Sequence, residues 1–123
     1  SFVPDSGGNL LNGESLKSAA DIAWNQGVEA VLVSAGNIPM ITTSLPSIIN
    51  GFPSRAGAKA VIGRYSPPSW KPDFYPRFED TKKVSPEAYA RQAQDWLNEG
   101  AQIIGGSSGT TPEHIRAVRE IIA

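Results

Sequence analysis

Residues 100–114, Gly-Ala-Gln-Ile-Ile-Gly-Gly-Ser-Ser-Gly-Thr-Thr-Pro-Glu-His, carry the signals for a strand, a glycine-rich loop and a helix start. The apolar run at 101–104 predicts the strand. Thr110 or Thr111 is a suitable N-cap, and Pro112 suits the first helical position. Glycines let a backbone approach a ligand, and a helix N-terminus offers N–H groups and a partial positive charge. The loop is therefore a candidate anion-binding site.

Outward from this unit, short apolar strands continue to alternate with amphipathic helices. Apolar runs predict strands at 28–33, 58–63 and 101–104, with the end of another strand at 1–3. Apolar residues at helical spacing predict helices at 15–26, 39–50, 85–99 and 112–122. The inward residues of the last helix are predicted to be Ile115, Val118 and Ile121 or Ile122. Pro46 is expected to kink the second helix or to mark a later start.

This alternation predicts the α/β class, because successive parallel strands need helical crossovers. Two architectures fit it. One is an open, doubly wound sheet of four strands. The other is part of a (β/α)8 barrel, of which 123 residues would make about half of the usual roughly 250.

A long connection at 67–84 interrupts the alternation. It contains Trp70, Phe74, Tyr75 and Phe78 and four prolines, without clear periodicity. Connections of this length are often functional. The aromatic residues are interpreted as a lid, as an interface with a partner, or as a loop packed on itself.

The composition excludes several classes of function. With 40% hydrophobic residues, 19% charged residues and a net charge of −1, the chain is predicted to be one soluble domain, with no nucleic acid or membrane as partner. It contains neither an apolar run of about 18 residues nor a leader pattern, so a cytoplasmic location is expected. The absence of cysteine and the single His114 exclude thiolate metal sites and His clusters within these residues.

The segment Gly-Gly-Ser-Ser-Gly-Thr-Thr-Pro-Glu-His-Ile at 105–115 resembles the C-terminal signature of the homocysteine S-methyltransferases. Residues 1–16, 28–35, 58–66 and 101–106 resemble the fifth to eighth strands of that family, so the resemblance spans the chain. It implies the C-terminal half of a (β/α)8 TIM-type barrel. It also implies methyl transfer to a small thiol such as homocysteine.

The chain departs from the family at its zinc ligands. Two of the family's three zinc-binding cysteines correspond to Ser107 and Ser108, and its Asn-Cys pair corresponds to Ser34 and Ala35. A serine hydroxyl does not ionise near pH 7, and alanine has no donor atom. We therefore expect no zinc cofactor. Three explanations stay open: a natural relative with another substrate or a metal-free mechanism, a degenerate paralogue, or an engineered cysteine-free chain.

The carboxyl ends of parallel strands are where barrel enzymes place their sites. On this basis the predicted substrate-binding residues are Ser34, Ala35, Tyr65, Gly105, Gly106, Ser107, Ser108 and Gly109. The alternatives are a turn that lets the last helix pack, a loop chosen for small size at residues 34–36, and a tyrosine satisfied by backbone. Arg64 is either a carboxylate partner or a surface residue. His114 is expected to cap the helix or face solvent rather than act as a general base.

Two functions follow as hypotheses. The first is a methyltransferase-like enzyme acting on a thiol or amino-acid substrate, with no catalytic residue assigned. The second is a catalytically silent barrel half whose role is association. Half a barrel leaves sheet edges unpaired, so the expected partner is an N-terminal barrel half or a second copy of the chain.

Overall fold

A computed structural model describes residues 1–65, 78–79 and 84–123 of the chain. The elements run in the order α1 (Leu16–Asn25), β1 (Ala30–Ala35), α2 (Ile38–Ile49), β2 (Arg55–Ala60), β3 (Arg64–Tyr65), β4 (Phe78–Glu79), α3 (Pro86–Glu99), β5 (Ile103–Gly106) and α4 (Pro112–Ile122). The strand and helix alternation expected from the sequence is confirmed. Of the predicted aromatic connection, Trp70, Phe74 and Tyr75 lie outside the described residues, and Phe78 is part of β4.

Local side-chain caps explain where the first three helices begin. Ser15, Asn37 and Ser85 each accept a hydrogen bond from the backbone N–H three residues later, at 2.9 to 3.2 Å. Such caps satisfy donors that would otherwise be unpaired at the helix start. Helix α2 begins at Ile38 and continues through Pro46, so the later start considered from the sequence is wrong.

The main sheet consists of β1, β2 and β5, all parallel and in that order. Phe2 adds a parallel bridge on the other side of β1: its N–H donates to Leu32 O, and its carbonyl accepts from Ser34 N–H, both at 2.8 Å. The four strand positions therefore follow chain order. A doubly wound sheet contains a point where the strand order reverses, whereas a barrel adds strands in sequence. The fold is α/β, with the arrangement of half a (β/α)8 barrel.

The core lies between the helices and one face of this sheet. Side chains alternate along each strand, and one set from β1 and β2 is buried: Val31, Val33, Ala35, Ala56, Ala58 and Ala60. They form one cluster with residues of the helices, among them Leu16, Ile41, Leu45, Tyr89 and Trp96. Along the chain, each helix packs against the next. Small residues in β2 allow α2 to approach the sheet closely.

The strand boundaries differ from those expected. β1 and β5 end two residues later than predicted, so Ser34, Ala35, Gly105 and Gly106 belong to strands rather than to loops. β2 lies three residues earlier, at Arg55–Ala60 instead of 58–63. β2 occupies these residues because Arg55 to Ala60 pair with β1. This pairing outweighs the weak strand propensity of alanine and glycine.

The inward face of α4 also differs from the prediction. Val118 is buried as expected, but the second buried residue is His114. Ile115, Ile121 and Ile122 are exposed. The prediction considered only apolar residues as inward-facing, and it therefore missed His114.

None of the described helices is long and apolar enough to cross a membrane.

Candidate functional site

The candidate site is the edge of the main sheet at which β1, β2 and β5 end. On the last rung, Ala35 is in register with Ala60, and Ala60 with Gly106. One rung earlier, Ser34 is in register with Lys59, and Lys59 with Gly105. The fold therefore brings four of the predicted residues to one edge: Ser34, Ala35, Gly105 and Gly106. Their binding of a substrate stays a prediction.

The two rungs face opposite sides of the sheet. Ala35 and Ala60 are buried in the core with the helices. Lys59 is partly buried on the opposite face, and a Cβ placed on Gly105 would lie 3.6 Å from the Cβ of Lys59. Ser34 shares that face by register. In a barrel this face is the interior. Ser34 is buried on it.

The glycine loop after β5 lies on the segment that follows β2. Ser107 N–H donates to Ala60 O at 3.2 Å, and Ser108 O accepts from the N–H groups of Ile62 and Gly63 at 2.8 and 3.0 Å. Thr110 N–H in turn donates to Ser107 O at 3.0 Å. Both predicted loop serines are therefore held by their backbone, which fixes the loop at the end of β2.

Close contacts within the protein require glycine at Gly106, the last residue of β5, and at Gly109 of the loop. Gly109 has φ +87°, and a Cβ there would lie 2.3 Å from Gly63 N. A Cβ on Gly106 would lie 2.2 Å from the Thr110 hydroxyl oxygen. No side chain fits at such distances. These contacts support the alternative that the glycines let the loop and helix pack.

Tyr89 of α3 joins the loop to the sheet. Its hydroxyl accepts a hydrogen bond from Ala60 N–H at 3.2 Å and donates one to Gly105 O at 2.7 Å. The side chain is fully buried, and its ring contacts Trp96 edge-on at 6.1 Å. Burial raises the pKa of the Tyr89 phenol, and the hydrogen bond from Ala60 opposes part of that rise. Tyr89 thus fixes β2 and β5 together where both end.

His114 fixes the start of α4. Its Nδ1 accepts from Thr111 N–H at 3.1 Å and lies 2.8 Å from the Thr111 hydroxyl, and its Nε2 lies 2.8 Å from Val84 O. An Nδ1 that accepts leaves the proton on Nε2, which donates to the carbonyl. The predicted capping role of His114 is confirmed, and the solvent-facing position is wrong because the side chain is buried.

The N-terminus of α4 is complemented from within the chain. Interactions with its own backbone N–H and with the Thr111 side chain lower the pKa of the Glu113 carboxylate. The N–H groups of Ser107, Thr110 and Thr111 are also paired internally. The anion site expected at this loop therefore lacks these three donors.

Tyr65 and Arg64 form β3, which pairs antiparallel with β4. Their side chains lie outside what the structure describes, so their roles stay predictions. Lys59 and Tyr89 were not among the residues that the sequence predicted for the site. The available signal for Lys59 was a charged residue inside a strand of small residues, Arg-Ala-Gly-Ala-Lys-Ala.

Comparison with known protein families gives one match, which covers nearly the whole chain. The family described as homocysteine S-methyltransferase matches residues 1–122. The chain therefore belongs to the homocysteine S-methyltransferase family. No curated protein matches its sequence.

The residues present do not fit the zinc site that the family resemblance implies. The chain has no cysteine, and the described residues contain no group of three or more His, Cys, Asp or Glu side chains able to hold a metal. Ser34, Ser107 and Ser108 offer neutral hydroxyls, and the Ala35 methyl packs in the core. Zinc prefers thiolate, imidazole and carboxylate donors, so this donor set is unsuitable.

Proposed function

We propose that the chain is part of an enzyme that transfers a methyl group to a small thiol such as homocysteine. The observation that carries this proposal is family membership over residues 1–122, in a chain whose glycine loop lies at the carboxyl ends of parallel strands. That edge is where barrel enzymes place their reacting groups. Ser34, the β5 residues Gly105 and Gly106, and the loop residues 107–109 are the proposed contacts to the substrate.

The reaction forms one bond and breaks one. The sulfur of the thiol attacks the methyl carbon of the donor, the S–CH3 bond forms, and the bond from carbon to the leaving group breaks with its electron pair. The thiol proton passes to a base or to water. A thiol of ordinary pKa, roughly 8.5, is only a few per cent ionised at neutral pH. The enzyme must therefore favour the thiolate, and we propose that it does so without zinc held by cysteines of this chain.

An alternative function is association without catalysis. Among the described strands, β5 pairs only with β2, and the far side of β1 carries only the bridge to Phe2. Ile115, Ile121 and Ile122 of α4 are exposed as well. Unpaired edges and exposed apolar side chains favour a partner. An N-terminal barrel half, or a second copy of the chain, would cover both.

The decisive experiment is a methyl-transfer assay on the natural protein, isolated with every chain that accompanies it. Homocysteine is offered with betaine or S-methylmethionine, and methionine is measured by mass spectrometry. We expect methionine to form, at a rate that a zinc chelator does not change, and elemental analysis to find no stoichiometric zinc on this chain. Zinc bound in a one-to-one ratio would refute the metal-free proposal. Absence of methionine with every donor, in an assembly of full barrel mass, would favour the silent alternative.

Variants of the loop connect the activity to this site. Ser108→Ala removes one hydroxyl from the loop, and we expect about a tenfold loss in kcat/KM if that hydroxyl contacts the substrate. Ser54→Ala changes an exposed serine remote from the sheet edge and serves as the matched control.

A cytoplasmic location, where thiols stay reduced, remains part of this proposal.

A further inference from the structure

The start of helix α3 holds both ends of the glycine loop, which runs from the end of β5 to the start of α4. At the first end, the Tyr89 hydroxyl donates to Gly105 O at 2.7 Å. At the other end, His114 Nε2 lies 2.8 Å from Val84 O, two residues before α3 begins. Tyr89 and His114 are thus the two anchors of the loop.

The two anchors also contact each other. The ring centroids of Tyr89 and His114 are 5.9 Å apart, and the rings are nearly perpendicular, at 84°. Both side chains are buried, and α3 packs against α4. Buried side chains in a close-packed interior have little freedom to move separately. A change at one anchor should therefore be felt at the other.

The first anchor and the loop meet at the same residue of β2. Ser107 N–H donates to Ala60 O, and the Tyr89 hydroxyl accepts from Ala60 N–H, both at 3.2 Å. Tyr89 therefore sets the spacing between β2 and the Gly105 end of β5, on which the position of Ser107 depends. A misplacement of about 1 Å caused by a residue far from the chemistry can cost about 100-fold in rate.

We propose that Tyr89 and His114 are positioning residues of the candidate site, which together hold Ser107 and Ser108 where substrate binding and methyl transfer require them. Both act through the loop, because both side chains are buried and bond to backbone groups. The proposal rests on the proposed function and deepens it, since it makes the geometry of the site depend on a helix outside the loop.

The test measures methyl transfer and the exchange of loop amide protons in the natural protein, isolated with every chain that accompanies it, and in two variants. Tyr89→Phe removes the first anchor's hydroxyl. Thr42→Val is the matched control, because it removes another hydroxyl that pairs with a side chain of α3, the Trp96 indole at 3.1 Å, away from the loop. We expect Tyr89→Phe to lower kcat/KM about 10- to 100-fold and to speed exchange at Ser107 N–H. Thr42→Val should leave both quantities close to their wild-type values.

A third variant, His114→Asn, tests whether the anchors act together. Asparagine can still accept from Thr111 N–H, but its shorter side chain ends before Val84 O, so it releases the second end of the loop. If release of either end frees the loop, the double variant Tyr89→Phe/His114→Asn should lose less activity than the product of the two single losses. Losses that multiply would contradict the joint role.

The outcomes separate positioning from stability and from the reaction itself. A thermal unfolding scan of each variant identifies a temperature at which all are folded. At that temperature, equal losses of kcat/KM in Tyr89→Phe and Thr42→Val, or a wild-type value in Tyr89→Phe, would overturn the positioning role. If the wild type forms no methionine, the methyl-transfer proposal fails, and amide exchange still decides the role of the anchors. Faster exchange at Ser107 in Tyr89→Phe alone supports that role, and unchanged exchange overturns it.

Discussion

The hydroxyl of Tyr89 donates a 2.7 Å hydrogen bond to the carbonyl of Gly105, which links helix α3 directly to the strand that begins the glycine loop. The same hydroxyl accepts from Ala60 N–H on the neighbouring strand. One side chain thus satisfies backbone groups of two strands at the edge where the candidate site lies. The position of the loop depends on this contact as well as on its own turns.

Removal of this hydroxyl should destabilise the fold. Tyr89→Phe leaves Ala60 N–H and Gly105 C=O without this partner, and we expect a loss of about 1–3 kcal/mol in the free energy of unfolding. Urea denaturation measures the change. Thr42→Val is a suitable comparison, because it removes the partner of the Trp96 indole between α2 and α3, away from the loop. Faster amide exchange at Ala60 in Tyr89→Phe but not in Thr42→Val would support a local role; unchanged exchange would contradict it.

Stability should also depend on alkaline pH through Tyr89. Burial raises its pKa above the ordinary value of 10.0, so the folded protein holds this proton more tightly than the unfolded chain does. The stabilisation that the protonated Tyr89 hydroxyl gives the folded state is fully present below pH 10. It is lost as the pH rises through the pKa of the folded protein. Unfolding free energies measured between pH 8 and 11 should fall more for the wild type than for Tyr89→Phe. Because the other titrating groups are common to both proteins, parallel curves would rule out the assignment.

The close contact at Gly109 can be separated from its backbone conformation. Gly109 and Gly13 have nearly the same φ, +87° and +86°, but a Cβ on Gly13 would meet nothing within 4 Å. Both alanine variants carry the cost of a left-handed residue, about 1–2 kcal/mol. Gly109→Ala should cost about 1–3 kcal/mol more, because its Cβ would collide with Gly63 N. Equal destabilisation of the two variants would show that the loop can move away from β2.

His114 should stabilise the protein as a polar core residue. His114→Leu keeps the apolar volume but leaves Thr111 N–H and Val84 C=O without partners, at an expected cost of about 1–3 kcal/mol. His114→Asn can return an acceptor near Thr111 and should recover part of that loss. Arg116→Ala, on the exposed side of the same helix, should stay within about 0.5 kcal/mol of wild type. Denaturation of the three variants is the measurement, and a stable His114→Leu would contradict the capping role.

The sequence alone determined the class of the fold and the start of its helices. Apolar runs and helical spacing predicted every helix to within about one residue, because caps such as Ser85 and the Thr111-Pro112 pair act over only a few residues. The glycine loop and the family resemblance likewise depend on neighbouring residues. The absence of cysteine was also visible in the sequence, because composition does not depend on contacts between distant residues.

The tertiary structure decided which residues of each strand pair and which face they occupy. β2 begins at Arg55 because β1 pairs with it there, and Gly105 and Gly106 are strand residues because Lys59 and Ala60 lie beside them. A one-residue change in register moves a side chain to the opposite face. The direction of Lys59, the burial of His114 and the link from Tyr89 to Gly105 all depend on contacts between residues far apart in the chain, which local pattern does not specify.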